Sequence, residues 1–445
     1  MTLLSDEELT NIANNQFTLE FLRAKLVQQV AKDPKTYTGS GGVSQASDGT
    51  LELKMYCPID SGSTLIEEFG VDGMVPGQLI GPEHYFAFEG MDFSGQFWTA
   101  TNVWVGADVS FPASGCIIRS KLRSIENCRE RPVVAGSSRK ILVVPGIYKI
   151  PFVGAQPGTM EPGFSTCTID LGAGRTCQIK TRAKALIIDI VLQGEDPEKY
   201  PKRVVEAIGI AVGAHLVPHA EITAAENKRV QTVHRLDEDA SEYFRIMPPI
   251  PGGTPEDFPD FQTFVCAYVE HFHEPFSQLA GFWYRILVAF HSGLENQALV
   301  LSTAIEGILK ASFPDEGKPD EEFLKQISQA VPKIKELTLG ARARERILGA
   351  LGNAKSSTPS NALYALAKAE RIPQQLVSIW KGLRNKSAHA DELKWSDAQT
   401  QPFIDDLYAC LELFYRLIMI RIGYEGAFTQ YSSHGWPKGK HFVFT

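Results

Sequence analysis

The sequence predicts an α+β, multidomain protein: a β-rich N-terminal domain, sandwich or jelly-roll-like, followed by an all-α helical bundle. Three observations carry this. The chain of 445 residues is longer than one core ordinarily organises. From Leu51 to about Leu192 it consists of short Val, Ile, Thr, Tyr, Phe and Trp runs between Gly, Pro, Asn and Asp, whereas after Phe261 apolar residues recur at three- and four-residue steps. Between Pro248 and Pro259 lie five prolines and two glycines, a composition that interrupts helix and strand alike. The expected division is 1–245 for the β-rich domain with short N-terminal helices, 246–262 for a linker, and 263–445 for the helical domain.

Along the chain, residues 5–32 place Leu9 and Ile12, then Leu19, Leu22, Leu26 and Val30, at roughly helical spacing, which predicts one or two helices. The Gly- and Ser-rich stretch from Gly39 to Gly49 predicts a loop. Strands are expected at 51–56, 96–104 and 141–144, with a hairpin of 166–171 and 176–181 turning at Gly172-Ala173-Gly174. Residues 203–213 read as a helix within the first domain. Beyond the linker, helices are expected at 264–291, 295–311, 321–336, 342–352, 361–369, 374 to about 386, and 396–422, with an irregular tail from Glu425. The stripe Phe403, Leu407, Cys410, Leu411, Phe414, Leu417 and Ile418 on the last helix predicts core or a dimer interface.

Composition narrows the function classes. Hydrophobic residues at 44% and charged residues at 22% are ordinary for a globular chain, so disorder is not indicated. No apolar run approaches the ~20 residues of a membrane span. The start, Met1 to Glu8, is acidic where a secretory signal would be basic, so a cytoplasmic location is expected. Seven cysteines without a C-x-x-C pair read as reduced thiols, and only Cys167 and Cys177, flanking the hairpin turn, are placed to face each other. A net charge of −8 argues against coating nucleic acid by bulk electrostatics. The acidity lies in residues 1–262, with 24 basic against 33 acidic side chains; the remainder has 20 against 19. No Gly-rich phosphate loop with a lysine is present, which disfavours an ATPase or GTPase. Neither a cofactor nor a metal is expected.

The segment Arg384-Asn385-Lys386-Ser387-Ala388-His389 carries the most chemistry. Cutting RNA without a metal needs a group that takes the ribose 2′-OH proton and a cation that stabilises charge on the phosphorus oxygens. Imidazole, with an unperturbed pKa of ~6.5, exchanges protons near neutrality, and the guanidinium fork stays charged and matches phosphate geometry. Spacing alone is not distinctive, because Arg229 to His234 and Arg285 to His291 repeat it. The first of these lies in an alternating, strand-like segment; the second encloses five apolar residues, as expected of a helix with a snorkelling Arg. The segment at 384 differs in having polar Asn385 next to the Arg, in ending a helix marked by Leu376, Val377, Ile379, Trp380 and Leu383, and in preceding a long apolar helix. On a regular helix Asn385 and His389 share a face, while Arg384 and His389 are offset by about 140°. The long Arg side chain or a bend near Ser387 must close that gap.

Other candidates read as structural. His271 and His273 point to opposite faces of a helix, and His215 and His219 flank Pro218 without an acidic partner within a turn. Arg342, Arg344 and Arg346, with Lys333 and Lys335, are interleaved with Glu336 and Glu345, as on a solvated helix face. Tyr85, Phe97, Trp98 and Trp104 sit at strand spacing and read as core before recognition surface.

The Arg384 to His389 segment, the apolar helix 299–309 and the closing helix 405–423 together resemble a HEPN domain over roughly residues 262–425, and more narrowly the ApeA-like branch of bacterial anti-phage proteins. The resemblance implies a homodimer or higher homo-oligomer in which two such segments meet, an RNA substrate, and metal-independent endonuclease action leaving a 2′,3′-cyclic phosphate. It implies His389 as the acid/base, Arg384 as the phosphate stabiliser and Asn385 as the residue orienting them. Lys386 is a supporting candidate in the same segment, and Glu306, on a helix of otherwise buried character, is a candidate for holding Arg384. The β-rich domain would then sense a phage-derived trigger or restrain the nuclease, in a defence that acts by abortive infection. The alternative is a non-catalytic HEPN-type dimerisation or binding module whose β domain recognises a partner or glycan, with Arg and His merely capping a helix end.

Overall fold

Strand alternation builds the first part of the chain. The computed structural model describes residues 6–29, 32–58, 79–105, 109–110, 115–130, 138–152, 166–182, 185–225, 227–236, 245–388 and 397–441. After helix α1 (Asp6–Ala13) come β1 (Thr18–Gln28), β2 (Thr36–Gln45), β3 (Leu51–Pro58), β4 (Tyr85–Asp92), β5 (Phe97–Trp104), β6 (Val109–Ser110) and β7 (Gly115–Leu122). They are followed by β8 (Ser124–Glu130), β9 (Ser138–Pro145), β10 (Thr166–Asp170), β11 (Thr176–Arg182), β12 (Ala185–Leu192), β13 (Ala220–Ala225) and β14 (Lys228–His234). Among the described residues these strands form one antiparallel sheet, ordered β10-β11-β12-β9-β13-β14-β8-β5-β4-β1-β2-β3-β7-β6.

On β3, Leu51, Leu53, Met55 and Cys57 are buried while Glu52, Lys54 and Tyr56 face solvent, the period of two that a half-buried strand requires. The same inner face continues through Phe88, Trp98, Ile125, Ile141, Val143, Ile222 and Val233, and Ile12 of α1 joins that core. The sheet curls back on itself. Ser120 on β7 donates to the carbonyl of Trp104 on β5 at 2.5 Å, although four strands separate the two in the ladder. On β9 and β12, Leu142, Val144, Leu186 and Ile188 are also buried but have the opposite parity, so these two strands are covered on both faces.

The β-rich architecture agrees with the expectation, but its first strands were disguised. Residues 18–28 form a strand, and a bulge between Phe21 and Ala24 shifts its register. That extra residue turns a two-residue period into a three-residue step between two buried side chains, which imitates a helix. The expected Gly-rich loop is β2. A Cβ on Gly39 or Gly41 would overlap the carbonyl oxygens of Tyr56 and Lys54 on β3, so glycine is what lets the strands approach there. Cys167 lies opposite Ile179, and Cys177 opposite Ile169, so the two thiols are diagonal neighbours rather than a directly facing pair. Burial pushes the Cys167 thiol up to about 12.

The chain divides into two units, Met1–Pro201 with Leu216–Tyr243, and Lys202–His215 with Phe244–Thr445. This differs from a boundary at 245. Helix α2 (Lys199–Val212) places most of its length in the second unit, because its polar side chains find partners there. The Arg203 guanidinium donates to the carbonyls of Val269 and Phe272, and Glu206 accepts from the Tyr268 hydroxyl and, at 2.9 Å, from the Phe276 N–H.

The segment 246–262 is no free linker. Ile246 and Ile250 are buried, and the carbonyls of Met247, Pro248 and Pro249 accept from Tyr415, Tyr431 and the Thr429 N–H at 2.8, 2.6 and 2.9 Å. Proline lacks a donor but keeps its acceptor, which suits it to a strap tied by hydroxyl groups. Helix α3 (Phe258–His271) then begins inside the expected linker, with Pro259 in its first turn, where proline is tolerated.

The helical unit continues with α4 (Gln278–Ala289), α5 (Leu294–Ser312), α6 (Glu321–Glu336), α7 (Ala341–Asn353), α8 (Pro359–Lys368), α9 (Gln374–Ala388) and α10 (Asp397–Ile422). The helix expected at 264–291 is broken into α3 and α4. Phe276 there adopts a positive φ of 57°, and Ser277 caps α4 by accepting from the Ala280 N–H. The α10 stripe Leu407, Cys410, Leu411, Phe414, Leu417 and Ile418 is buried within the chain. The tail forms a hairpin of β15 (Gly426–Thr429) and β16 (Lys438–His441), anchored by buried Phe428 and His441. No helix among the described residues is long and apolar enough to cross a membrane.

Candidate active site

Helix α9 is held by one face. Leu376, Val377, Trp380 and Leu383 are buried, and the helix packs on α5, α8 and α10. The residues that follow Leu383 emerge on the other side: Arg384, Asn385 and Lys386 are exposed and Ser387 is half-buried. The helix runs without interruption through Ala388, and the Ser387 hydroxyl donates back to the Arg384 carbonyl at 3.2 Å. Of the two ways to close the gap to His389, a bend near Ser387 is therefore absent among the described residues. His389, next in the chain, lies outside them.

Arg384 and Glu306, 78 residues apart in sequence, meet. The Nε of Arg384 donates to Oε1 of Glu306, which projects from the α5 face toward α9. The Arg384 side chain remains 48% exposed, against 20% for Glu306, so the carboxylate is partly enclosed while the guanidinium reaches solvent. Its two terminal nitrogens have no hydrogen-bond partner among the described residues, leaving the planar pair of donors that can grip a phosphate end-on. Asn385 stands exposed beside it. The Lys386 ammonium pairs with Asp406 of α10 at 3.2 Å, and so binds its own bundle. Asp406 escaped the sequence reading; its one cue is its position directly before the buried stripe residue Leu407.

The other Arg–His spacings are structural. In β14, Arg229 donates to Gln231 at 3.3 Å, and His234 lies 3.5 Å from Glu221. The Arg285 guanidinium covers the Phe282 ring at 5.9 Å, and His291, past the end of α4, accepts from the Arg245 N–H at 3.1 Å. His219 is fully buried in the first unit and bonded to Gln45, and burial together with the charge of His234 brings it down to about 4. His215 packs edge-on against Tyr284 in the second unit. Strand alternation splits the aromatic run, with Phe97 exposed and Trp98 buried and donating to Asp92 at 3.0 Å. Arg344 bonds the loop carbonyls of Leu337 and Leu339, while Arg342 and Arg346 face solvent.

Among the described residues no three His, Cys, Asp or Glu side chains are grouped so as to hold a metal ion. Comparison with known protein families, with curated proteins and with solved structures found no match.

Proposed function

We propose that the chain is a metal-independent endoribonuclease of HEPN type, acting in bacterial anti-phage defence through abortive infection, with the β-rich unit sensing a trigger or restraining the nuclease. The observation that supports it is the Arg384 guanidinium, fixed through Nε by Glu306 with its terminal nitrogens turned to solvent, five residues before His389 in the sequence. A cation that is already positioned stabilises developing charge without reorganising during reaction.

In the proposed reaction the ribose 2′-oxygen attacks the adjacent phosphorus, forming the P–O2′ bond as the P–O5′ bond breaks. His389 of one protomer takes the 2′-OH proton, and His389 of a second copy returns a proton to the departing 5′-oxygen. Arg384 grips the non-bridging phosphate oxygens, and Asn385 orients Arg384 and His389. The products are a 2′,3′-cyclic phosphate and a 5′-hydroxyl. Mass spectrometry of the cut ends tests the chemistry, since a 3′-hydroxyl with a 5′-phosphate would rule this route out.

A second reading is favoured by the same ion pair, which also ties α9 to α5 as any interhelical salt bridge would. On that reading the chain is a non-catalytic dimerisation or binding module. A stable dimer that binds but never cuts RNA in cells exposed to phage would support it.

A further inference from the structure

A cleft of about 390 Å³ opens beside the far end of α5. Its floor is apolar, formed by Leu309, Phe313, Leu324 and Ala362, and its rim carries Lys310, Lys318 and Lys355. No carboxylate side chain lines it. Lys318 is neutralised by Asp315, whereas Lys310 and Lys355 are exposed and have no ion-pair partner among the described residues. An apolar floor beneath free ammonium groups suits a nucleotide, whose base packs on the floor while its phosphate meets the rim. The cleft also has a definite relation to the candidate active site. Lys310 follows Glu306 by four residues on α5, so the two share a face about 6 Å apart along the axis. One strand of RNA with a phosphate on Arg384 thus has its neighbouring backbone within reach of Lys310.

We infer that this cleft is a binding subsite for single-stranded RNA, taking the nucleotide next to the scissile phosphate through Lys310 and Lys355. The inference rests on the endoribonuclease reading for its substrate, but it is separately testable. The full-length chain is titrated into a fluorescent 2′-O-methyl oligoribonucleotide, which cannot be cut by 2′-oxygen attack, and anisotropy is followed across a salt series. The double variant Lys310→Ala/Lys355→Ala is expected to bind roughly tenfold more weakly, with the salt dependence reduced by about 0.7 in slope for each lysine lost. Arginine at both positions should restore binding, and Lys333→Ala/Lys335→Ala, on the exposed face of α6, should leave it unchanged.

Binding equal to wild type in the double variant overturns the subsite. So does a failure of the wild type to bind, or displacement of the oligonucleotide by adenosine monophosphate at comparable affinity, which would make the cleft a mononucleotide site. Lysine-dependent binding with no RNA cleavage in cells exposed to phage leaves the subsite standing and removes the nuclease. Arg384-dependent cleavage with lysine-independent binding does the reverse.

Discussion

Glu306 holds Arg384 by its Nε alone, which fixes where the guanidinium sits and leaves its terminal nitrogens for a ligand. A side chain used only as a brace has no need to reach solvent in this way. The two residues should therefore act as one functional unit.

Arg384→Ala is expected to lower the cleavage rate by about 10²–10³-fold, as loss of a preorganised charge-stabilising donor does elsewhere. Glu306→Gln should cost about tenfold or less, because the amide still accepts from Nε. The double variant should be no slower than Arg384→Ala, since a positioning residue has nothing left to position. Single-turnover rates check this, and additive losses would contradict the assignment. Stability should move by no more than ~1 kcal/mol in either single variant, given that the guanidinium is about half exposed.

Trp380→Ala removes a side chain 1% exposed at the centre of the α9 contact face. Denaturant unfolding should show a loss of about 3–5 kcal/mol. Ile347→Ala on α7, where the side chain is 39% exposed, should stay within about 0.5 kcal/mol of wild type.

Gly41→Val inserts a branched side chain where a Cβ already meets the Lys54 carbonyl. The first unit should lose more than ~1–3 kcal/mol, the usual range for overpacking, because backbone cannot step aside as a side chain can. Gly95→Ala, in the β4–β5 turn with open space around it but a positive φ of 75°, should cost less. Thermal unfolding of the two variants checks the order.

Acid should destabilise both units below a pH of ~6.5. Burial brings His219 and His441 down to about 4, aided by His234 for the first and by Arg416 and Arg371 for the second. A folded-state value below the unfolded one near 6.5 means that the unfolded chain binds the extra proton. Stability is therefore complete above ~6.5 and lost as pH falls toward 4, by up to roughly 3 kcal/mol for each. Glu221 extends the trend: burial opposes its ionisation, but His234 and Lys140 bring it down to about 2, so its contribution is lost below ~4.5. Melting temperature against pH checks this, and His441→Asn should flatten the part of the curve between 6.5 and 4.

The helical unit was the more legible part of the sequence. A buried stripe such as Leu376, Val377, Trp380 and Leu383 states its own period, and Glu306 stood out as a charge on a helix of buried residues. Pairing with Arg384 could be guessed but not located, because helix packing angles are not written in either helix. The β unit hid what depends on neighbours. The bulge at Phe21 to Ala24 mimicked a helix, and the glycines of β2 looked like a loop until β3 lay against them. The membership of α2 in the second unit rests on Arg203 and Glu206 finding partners more than sixty residues away, which no local pattern records. The tail read as irregular because a four-residue strand such as β16, Lys438–His441, has too few apolar positions to show a period.

The most direct test of the central claim compares RNA cleavage by the full-length wild type, Arg384→Ala and His389→Ala with EDTA present. The account predicts that the wild type cuts, leaving 2′,3′-cyclic phosphate ends, and that both variants lose at least about two orders of magnitude. Cleavage that persists in His389→Ala, or that EDTA abolishes in the wild type, would contradict it.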